Sequence, residues 1–343
     1  MIDRTGNRAM TQILPVACSH SPKTLECALL PCDLAMTAPI QTLEQLLLTA
    51  LDPAPSETRR LFHGRGRCWP GLEQITVDWL DGVLSVALFR EPPAGQLGEL
   101  EAMLQGLALR PQWPAQAVLI QHRYLPDSPA QWLLGEPCAQ REVVEDGLRY
   151  LLDLGVRQNN GLFLDMRYGR RWVREQAAGK RVLNLFAYTC GFSVAAIAGG
   201  AEQVVNLDMA KSALARGRDN HRLNGHDASR VAYLGHELFK SWGKVRKYGP
   251  YDLIIIDPPT FQRGSFVLTQ DYAKILRRLP ELLADGGTVL ACVNDPGVGP
   301  QFLLDGMAEA APELQFVERL ANPPEFPDAD PDGGLKALVF TRR

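Results

Sequence analysis

The sequence predicts an α/β protein: an open, mostly parallel sheet with helices on both faces, preceded by a smaller α/β region. Three observations carry this. From about residue 160, strands and helices alternate at short spacing, beginning with RVLNLF (181–186), FSVAAIAGG (192–200), QVVNLD (203–208) and MAKSALARGRDNHRLNG (209–225). Such alternation builds parallel strands joined by crossover helices. YDLIIIDPP (251–259) holds a near-continuous apolar run, as expected of a strand buried on both faces. Upstream, the β-rich runs QITVDWL and VLSVALF flank Asp81-Gly82, a dipeptide that favours a two-residue hairpin turn.

Residues 1–36 show no clean periodicity and are read as a leader, either poorly ordered or lying upstream of a start at Met36. Residues 37–155 form the small α/β domain. TLEQLLLTAL has helical spacing and stops at Pro53 and Pro55. The Asp81-Gly82 hairpin follows, then the helix GELEAMLQGLAL, the strand QAVLIQHR, Pro-rich breaks at Pro126, Pro129 and Pro137, and GLRYLLDL as a further strand. Residues 156–343 form the second domain. After its first four elements come RVAYL (230–234), the buried run at 251–259, a helix over QDYAKILRRLPELLAD (270–285) and TVLACVN (288–294) after Gly286-Gly287. LQFVERL and LKALVFTR add two strands.

Composition bounds the chemistry. The 343 residues are 46% apolar, enough for full cores, yet no run is long enough to cross a membrane. The seven cysteines are scattered, with no CxxC pair and no zinc spacing, so they read as reduced thiols in the cytoplasm and no metal is expected. A net charge of −3 is not the global footprint of a nucleic-acid binder. Local basic clusters remain: Arg59, Arg60, Arg65 and Arg67; Arg167, Arg170, Arg171 and Arg174; Lys240, Lys244, Arg246 and Lys247. Such clusters can meet phosphates, although solvated charge explains each one alone.

Ligands of open α/β sheets sit at the carboxyl ends of the strands. The first strand ends in AYTCGFSVA, where Gly191 is expected to make the tight turn and admit a ligand to its backbone. Asp208 ends the second strand, placed to accept from ribose hydroxyls. A dinucleotide loop wants G-x-G-x-x-G, and the single glycine here argues for a nucleoside ligand without a pyrophosphate. The fourth strand ends in Asp257-Pro258-Pro259-Thr260-Phe261. The two prolines stiffen the loop and leave carbonyls free, Asp257 offers an acceptor to an amino group or base edge, and Phe261 offers a stacking face.

GLFLDMRYGRRW, VLNLFAYTCGFSVAA, VVNLDMAKSAL, DNHRLNG and YDLIIIDPPTF together resemble the class I S-adenosylmethionine (SAM)-dependent methyltransferases that modify large-subunit ribosomal RNA. The similarity spans about 157–343, and RLFHGRGRCWPGLEQITVDW (60–79) is similar to the small domain that precedes the catalytic one in those enzymes. The resemblance implies a Rossmann-like seven-stranded methyltransferase sheet and SAM as cofactor. It implies that Phe163, Asp165 and Arg167 close over the cofactor, that Phe186, Tyr188, Thr189 and Gly191 form the first SAM loop, and that Asp208 and Met209 meet ribose and adenine. Glu237, with His236 beside it, stands where the family has the acid facing the adenine amino group, and Cys190 stands where a glycine is common, placed to narrow the methionine pocket or merely tolerated.

Relatives that methylate cytosine C5 use a cysteine at the end of the fifth strand; here Asn294 holds that place and Cys292 lies two residues earlier. Relatives that form N7-methylguanine carry DPPTF and an asparagine there, as this sequence does. The resemblance thus implies an RNA methyltransferase acting on a guanine of large-subunit ribosomal RNA, with Asp257, Pro258, Pro259, Phe261 and Asn294 at the reacting base. Arg59, Arg60, Arg65, Arg67, Arg170 and Arg171 are the candidate RNA contacts. No membrane partner is expected, and a homodimer is left open. Cytosine-C5 methylation, a protein or small-molecule substrate, and a non-catalytic SAM- or RNA-binding module are the competing readings.

Overall fold

Two sheets, described over residues 38–342 of a computed structural model, carry the chain; the leader read over 1–36 lies outside those residues. The first sheet is built from β1 (Arg59–His63), β2 (Ile75–Leu80), β3 (Val83–Leu88), β4 (Ala117–His122) and β5 (Ala130–Leu134), in that spatial order. β3 and β4 run parallel and the other neighbours antiparallel. The predicted hairpin is present: Leu80 pairs with Val83, and Asp81 (φ 47°) and Gly82 (φ 87°) both take the left-handed backbone of a type I′ turn. Helices α1 (Pro39–Ala50) and α2 (Gln96–Ala108) bury Leu43, Leu47, Leu100 and Leu104 against Val77, Val86 and Val118.

A second hairpin, β6 (Gln140–Glu145) with β7 (Leu148–Asp153), follows. The sequence reading found β7 and missed β6, whose QREVVE buries only Val143 and Glu145 and so lacks an apolar signature.

The second sheet comprises β8 (Arg181–Leu185), β9 (Gln203–Leu207), β10 (Val231–Leu234), β11 (Tyr251–Ile256), β14 (Leu283–Val293), β15 (Leu314–Arg319) and β16 (Lys336–Arg342). Their order is β10-β9-β8-β11-β14-β16-β15, with β16 antiparallel to both neighbours. This is the expected seven-stranded Rossmann-like sheet. Around it lie α3 (Arg167–Gln176), α4 (Gly191–Ala198), α5 (Lys211–Leu223), α6 (Trp242–Arg246), α7 (Leu268–Leu276), α8 (Leu279–Leu282) and α9 (Gln301–Ala310), while β12 (Phe261–Gln262) and β13 (Phe266–Val267) form a small ribbon after β11. Alternation along β11 sends Ile254 and Ile256 into one core and Leu253 and Ile255 into the other. The chain runs outward from β8 through β9 and β10, then returns to β11 on the far side of β8. Strand order reverses there, and a crevice opens at the carboxyl ends of β8 and β11.

The helices differ most from the sequence reading over 270–285. The segment 270–285 is two helices rather than one, because Pro280 lacks an N–H and restarts the chain as the first turn of α8, and β14 begins before Gly286-Gly287.

The β6–β7 hairpin is fastened to α3 by an ion pair. Arg170 donates from Nε and Nη2 to Glu145 Oε1 and Oε2 at 2.6 and 2.7 Å, and both residues are buried. Glu145→Ala leaves a lone buried cation and is expected to lower the unfolding free energy by about 3–5 kcal/mol. Urea denaturation measures this, and an unchanged midpoint would show that the hairpin is held some other way.

Candidate active site

The loop between β8 and α4 turns through left-handed backbone at three non-glycine residues: Phe186 (φ 57°), Tyr188 (φ 47°) and Cys190 (φ 65°). The tight turn is therefore made by Cys190, not by Gly191, which already lies in α4. What Gly191 contributes is an absent side chain on the cavity wall, opposite Arg170 and Leu162.

Neighbouring side chains hold this loop. Asp208 Oδ2 accepts from the Tyr188 N–H at 2.8 Å, and its Oδ1 accepts from the Ala210 N–H at 2.7 Å. Asn220 donates to the Thr189 carbonyl at 3.0 Å and accepts from the Leu151 N–H at 2.9 Å, tying the loop to β7. The Thr189 hydroxyl donates to the Gly161 carbonyl. The Cys190 side chain does not narrow the cavity. It is fully buried against α5, and a Cβ at Gly217 would lie 2.3 Å from its Sγ.

A cavity of about 220 Å³ opens at the switch point, with Gly161, Phe163, Thr189, Gly191, Asp208 and Asp257 among its lining residues. A narrow cleft extends it between Met209, His236, Glu237, Phe239 and Phe266, and Phe186, Asp208 and Gln262 line both. Glu237 accepts from the Phe239 N–H at 2.7 Å and stays within the cleft. Phe163 and Met209 are 45% and 42% exposed, a large apolar area held in water at the cavity rim and suited to a ligand's apolar face. The first turn of α4 has no side-chain cap, so its N–H groups are open to a ligand carboxylate. A nucleoside with an amino-acid tail fits this donor set: an acid for ribose hydroxyls, an apolar slot for a planar base and a helix N-terminus for a carboxylate.

At the mouth, Asp165 and Asn294, far apart in sequence, meet: Asn294 Nδ2 donates to Asp165 Oδ2 at 2.9 Å. Asp257 lies beside them, its carboxyl pushed up to about 7 by burial and then by the charge of Asp165. Pro258 is buried, Pro259 lines the cavity, and Phe261 projects into solvent at 64% exposure. Cys292, two residues before Asn294, is fully buried, and burial raises its thiol well above the ordinary value, so it presents no thiolate at the mouth.

Several predicted residues fall elsewhere. Arg167 is engaged by Glu325 at 2.8 and 2.9 Å rather than lining the cavity. Arg170 is buried with Glu145 and cannot serve as a surface RNA contact, although it borders the cavity beside Gly191. Arg171 pairs with Asp146 at 2.6 Å, Arg60 with Asp78, and Arg67 with Asp328 at 3.2 Å. Asn220 and Gly161 were missed. The DNHRLNG motif holds the former, but sequence offers no sign that an asparagine on a helix will reach a loop carbonyl.

A family model described as S-adenosylmethionine-dependent methyltransferase matches residues 59–341. The chain belongs to that family. Similar relatives include ribosomal RNA large subunit methyltransferase I of Aeromonas salmonicida (strain A449), 34% identical over 61% of this chain and 56% of the relative. The protein of the same name in Serratia proteamaculans (strain 568) is 32% identical over 78% of this chain and 69% of the relative. This methyltransferase-family chain thus spans about half the length of the Aeromonas protein. The crystal structure of SMU.776 complexed with SAH matches its fold with a TM-score of 0.79 at 24% identity, covering 89% of this chain and 82% of that one. Among the described residues no helix is long and apolar enough to cross a membrane, and no His/Cys/Asp/Glu group is arranged to hold a metal ion.

Two outcomes follow from this geometry. Gly217→Ala forces a Cβ onto Cys190 and is expected to weaken SAM binding and lower stability by about 1–3 kcal/mol. Cys190→Gly in the same chain restores both; calorimetry and thermal melts that show no rescue would refute the contact. Asp257 has a folded value of about 7 against 3.8 for the free side chain. A raised carboxyl stabilises the fold fully below the unfolded value, and that contribution fades as pH climbs through the folded one. The stability of the wild type relative to Asp257→Asn should therefore fall between pH 3.8 and about 7 and then level off. A pH-independent difference would contradict the raised value.

Proposed function

We propose that this methyltransferase transfers the methyl group of SAM to a base of RNA, a guanine of large-subunit ribosomal RNA, at N7. The observation that carries the base assignment is the Asn294–Asp165 contact beside Asp257, with Cys292 buried behind it. The names of the Aeromonas and Serratia relatives support an RNA substrate.

Asp208 would accept from the ribose hydroxyls, and the slot between Met209, Phe239 and Phe266 would hold the adenine with Glu237 at its amino group. The open N–H groups of α4 and the neighbouring Arg170 would face the methionine carboxylate. When bound, SAM supplies a methyl group on a positively charged sulfur.

The residues at the mouth then have one task, to present the base. Guanine N7 has a free lone pair, so no general base is needed. A target base must leave the stack to reach such a cavity. Asp257 and Asp165 can accept from the N1–H and amino group of guanine, while Asn294 can both donate and accept. Phe261, stiffened by Pro258 and Pro259, offers a face for stacking. C5 chemistry on cytosine would need a thiolate at the base, and burial denies that role to Cys292.

Asp208→Ala should weaken SAM binding by about 1–3 kcal/mol, as expected for lost hydrogen bonds to a buried acid. Unchanged affinity in calorimetry would remove it from the ribose site. For the reaction itself, protein is incubated with tritiated SAM and ribosomal RNA from a strain lacking the gene, and the RNA is digested to nucleosides. Label in 7-methylguanosine, lost in Asp257→Ala while SAM still binds, is the expected result. Label in 5-methylcytidine, or in no nucleoside, would overturn the assignment.

A further inference from the structure

The basic segment His63-Gly64-Arg65-Gly66-Arg67 is built more tightly than a surface loop requires. A Cβ at Gly64 would lie 1.9 Å from the Leu72 carbonyl oxygen, and one at Gly66 would lie 1.8 Å from that of Pro327. The Ala329 N–H donates to the Gly66 carbonyl at 2.7 Å. Arg65 is thus held between two points where backbone packs on backbone, one of them against the chain just before β16.

The arginines of this region divide into engaged and unengaged. Arg60 pairs with Asp78 and also donates to His63, whose ring is neutral because burial and then Arg60 push it down to about 3. Arg67 is answered by Asp328 and Asp330. Arg65 makes no hydrogen bond or ion pair among the described residues; its guanidinium lies over the Phe89 ring at 4.2 Å. Arg123 lies over the same ring at 4.7 Å, and its Nη2 donates to Asn159 at 3.0 Å.

The topology explains the meeting. β1, β3 and β4 all point their carboxyl ends to one edge of the first sheet, and Arg65, Phe89 and Arg123 each follow one of those ends. Partial burial and then the charge of Arg60 weaken the hold of Arg65 on its proton, and Arg123 suffers burial, then Arg65, then Arg60. Arg65 and Arg123, gathered so closely and neither of them ion-paired to a carboxylate among the described residues, favour an anion. The edge also adjoins the cavity: Asn159 lines it, and Asp165 acts electrostatically on Arg65 and Tyr188 on Arg123.

We propose that Arg65 and Arg123, seated on Phe89, bind a backbone phosphate of the RNA strand whose base enters the cavity. This rests on the RNA reading above. The planar guanidinium matches a phosphate with two parallel hydrogen bonds, and its seat on the ring fixes the fork in advance. The phosphate contact positions the strand, while the mouth residues select the base.

The test uses the full chain, Arg65→Gln and Arg123→Gln variants, and a fluorescein-labelled mixed-sequence single-stranded RNA. Anisotropy is followed against salt, with SAM calorimetry in parallel. Each variant should bind the RNA about tenfold more weakly. Each should lose about 0.7 from the slope of log affinity against log salt concentration, the share of one single-strand phosphate contact. SAM affinity stays at the wild-type value, and Arg65→Lys keeps the salt slope while losing affinity. If the wild type labels ribosomal RNA from tritiated SAM but both glutamine variants bind the probe with unchanged affinity and slope, the phosphate site is wrong and the RNA reading stands. If the wild type neither binds the probe nor labels RNA, both fall.

Discussion

The site depends on one held bend. Between β8 and α4 the chain passes through left-handed backbone at Phe186, Tyr188 and Cys190, none of them glycine. Each such position costs about 1 kcal/mol or more, and it persists only when the surroundings over-determine it. The surroundings are identifiable: Asp208 takes the Tyr188 N–H, Asn220 takes the Thr189 carbonyl, and Gly217 leaves room for the Cys190 sulfur. The bend turns the first N–H groups of α4 and the bare wall of Gly191 toward the cavity. Asp208 thus has a double position, as a brace of the loop and as the acid at the end of β9. A substitution there disturbs loop and ligand together, which is why the Gly217–Cys190 contact, away from the cavity, isolates the loop's own contribution.

Around this bend the charge is distributed unevenly. The mouth is acidic, with Asp165 and Asp257 close enough for one to raise the other. The neighbouring edge of the first sheet is cationic, with Arg65 and Arg123 on one ring. A polyanion whose bases carry hydrogen-bond donors suits both surfaces at once: its backbone is drawn to the edge and a base to the mouth. The net charge of −3 conceals this, since it sums over surfaces that act separately.

Much of the fold was legible in the sequence. The alternation of apolar runs gave the seven strands, and Asp81-Gly82 marked its hairpin because few dipeptides accept two left-handed residues in succession. β6 was not legible, since only Val143 and Val144 of its six residues are apolar. Of the residues the sequence singled out at strand ends, Asp208, Thr189, Asp257 and Glu237 line the cavity or its cleft. The arginines were the poorest guide. Arg60, Arg67, Arg167, Arg170 and Arg171 are each met by a carboxylate, mostly one remote in sequence. Arg123, outside every basic run, joins Arg65 through sheet topology alone. Ion pairing is a long-range property that charge clustering along a chain does not encode.

The most direct test of the central claim is hydrogen exchange followed by mass spectrometry, with and without SAM. Amides that gain hydrogen-bonded partners or lose local opening exchange more slowly. The account predicts slowed exchange in 161–166, 186–193, 207–210 and 236–239, with the five-stranded sheet unchanged. Protection confined to that sheet, or its absence from 186–193, would contradict a cofactor seated on the held bend at the β8–β11 switch.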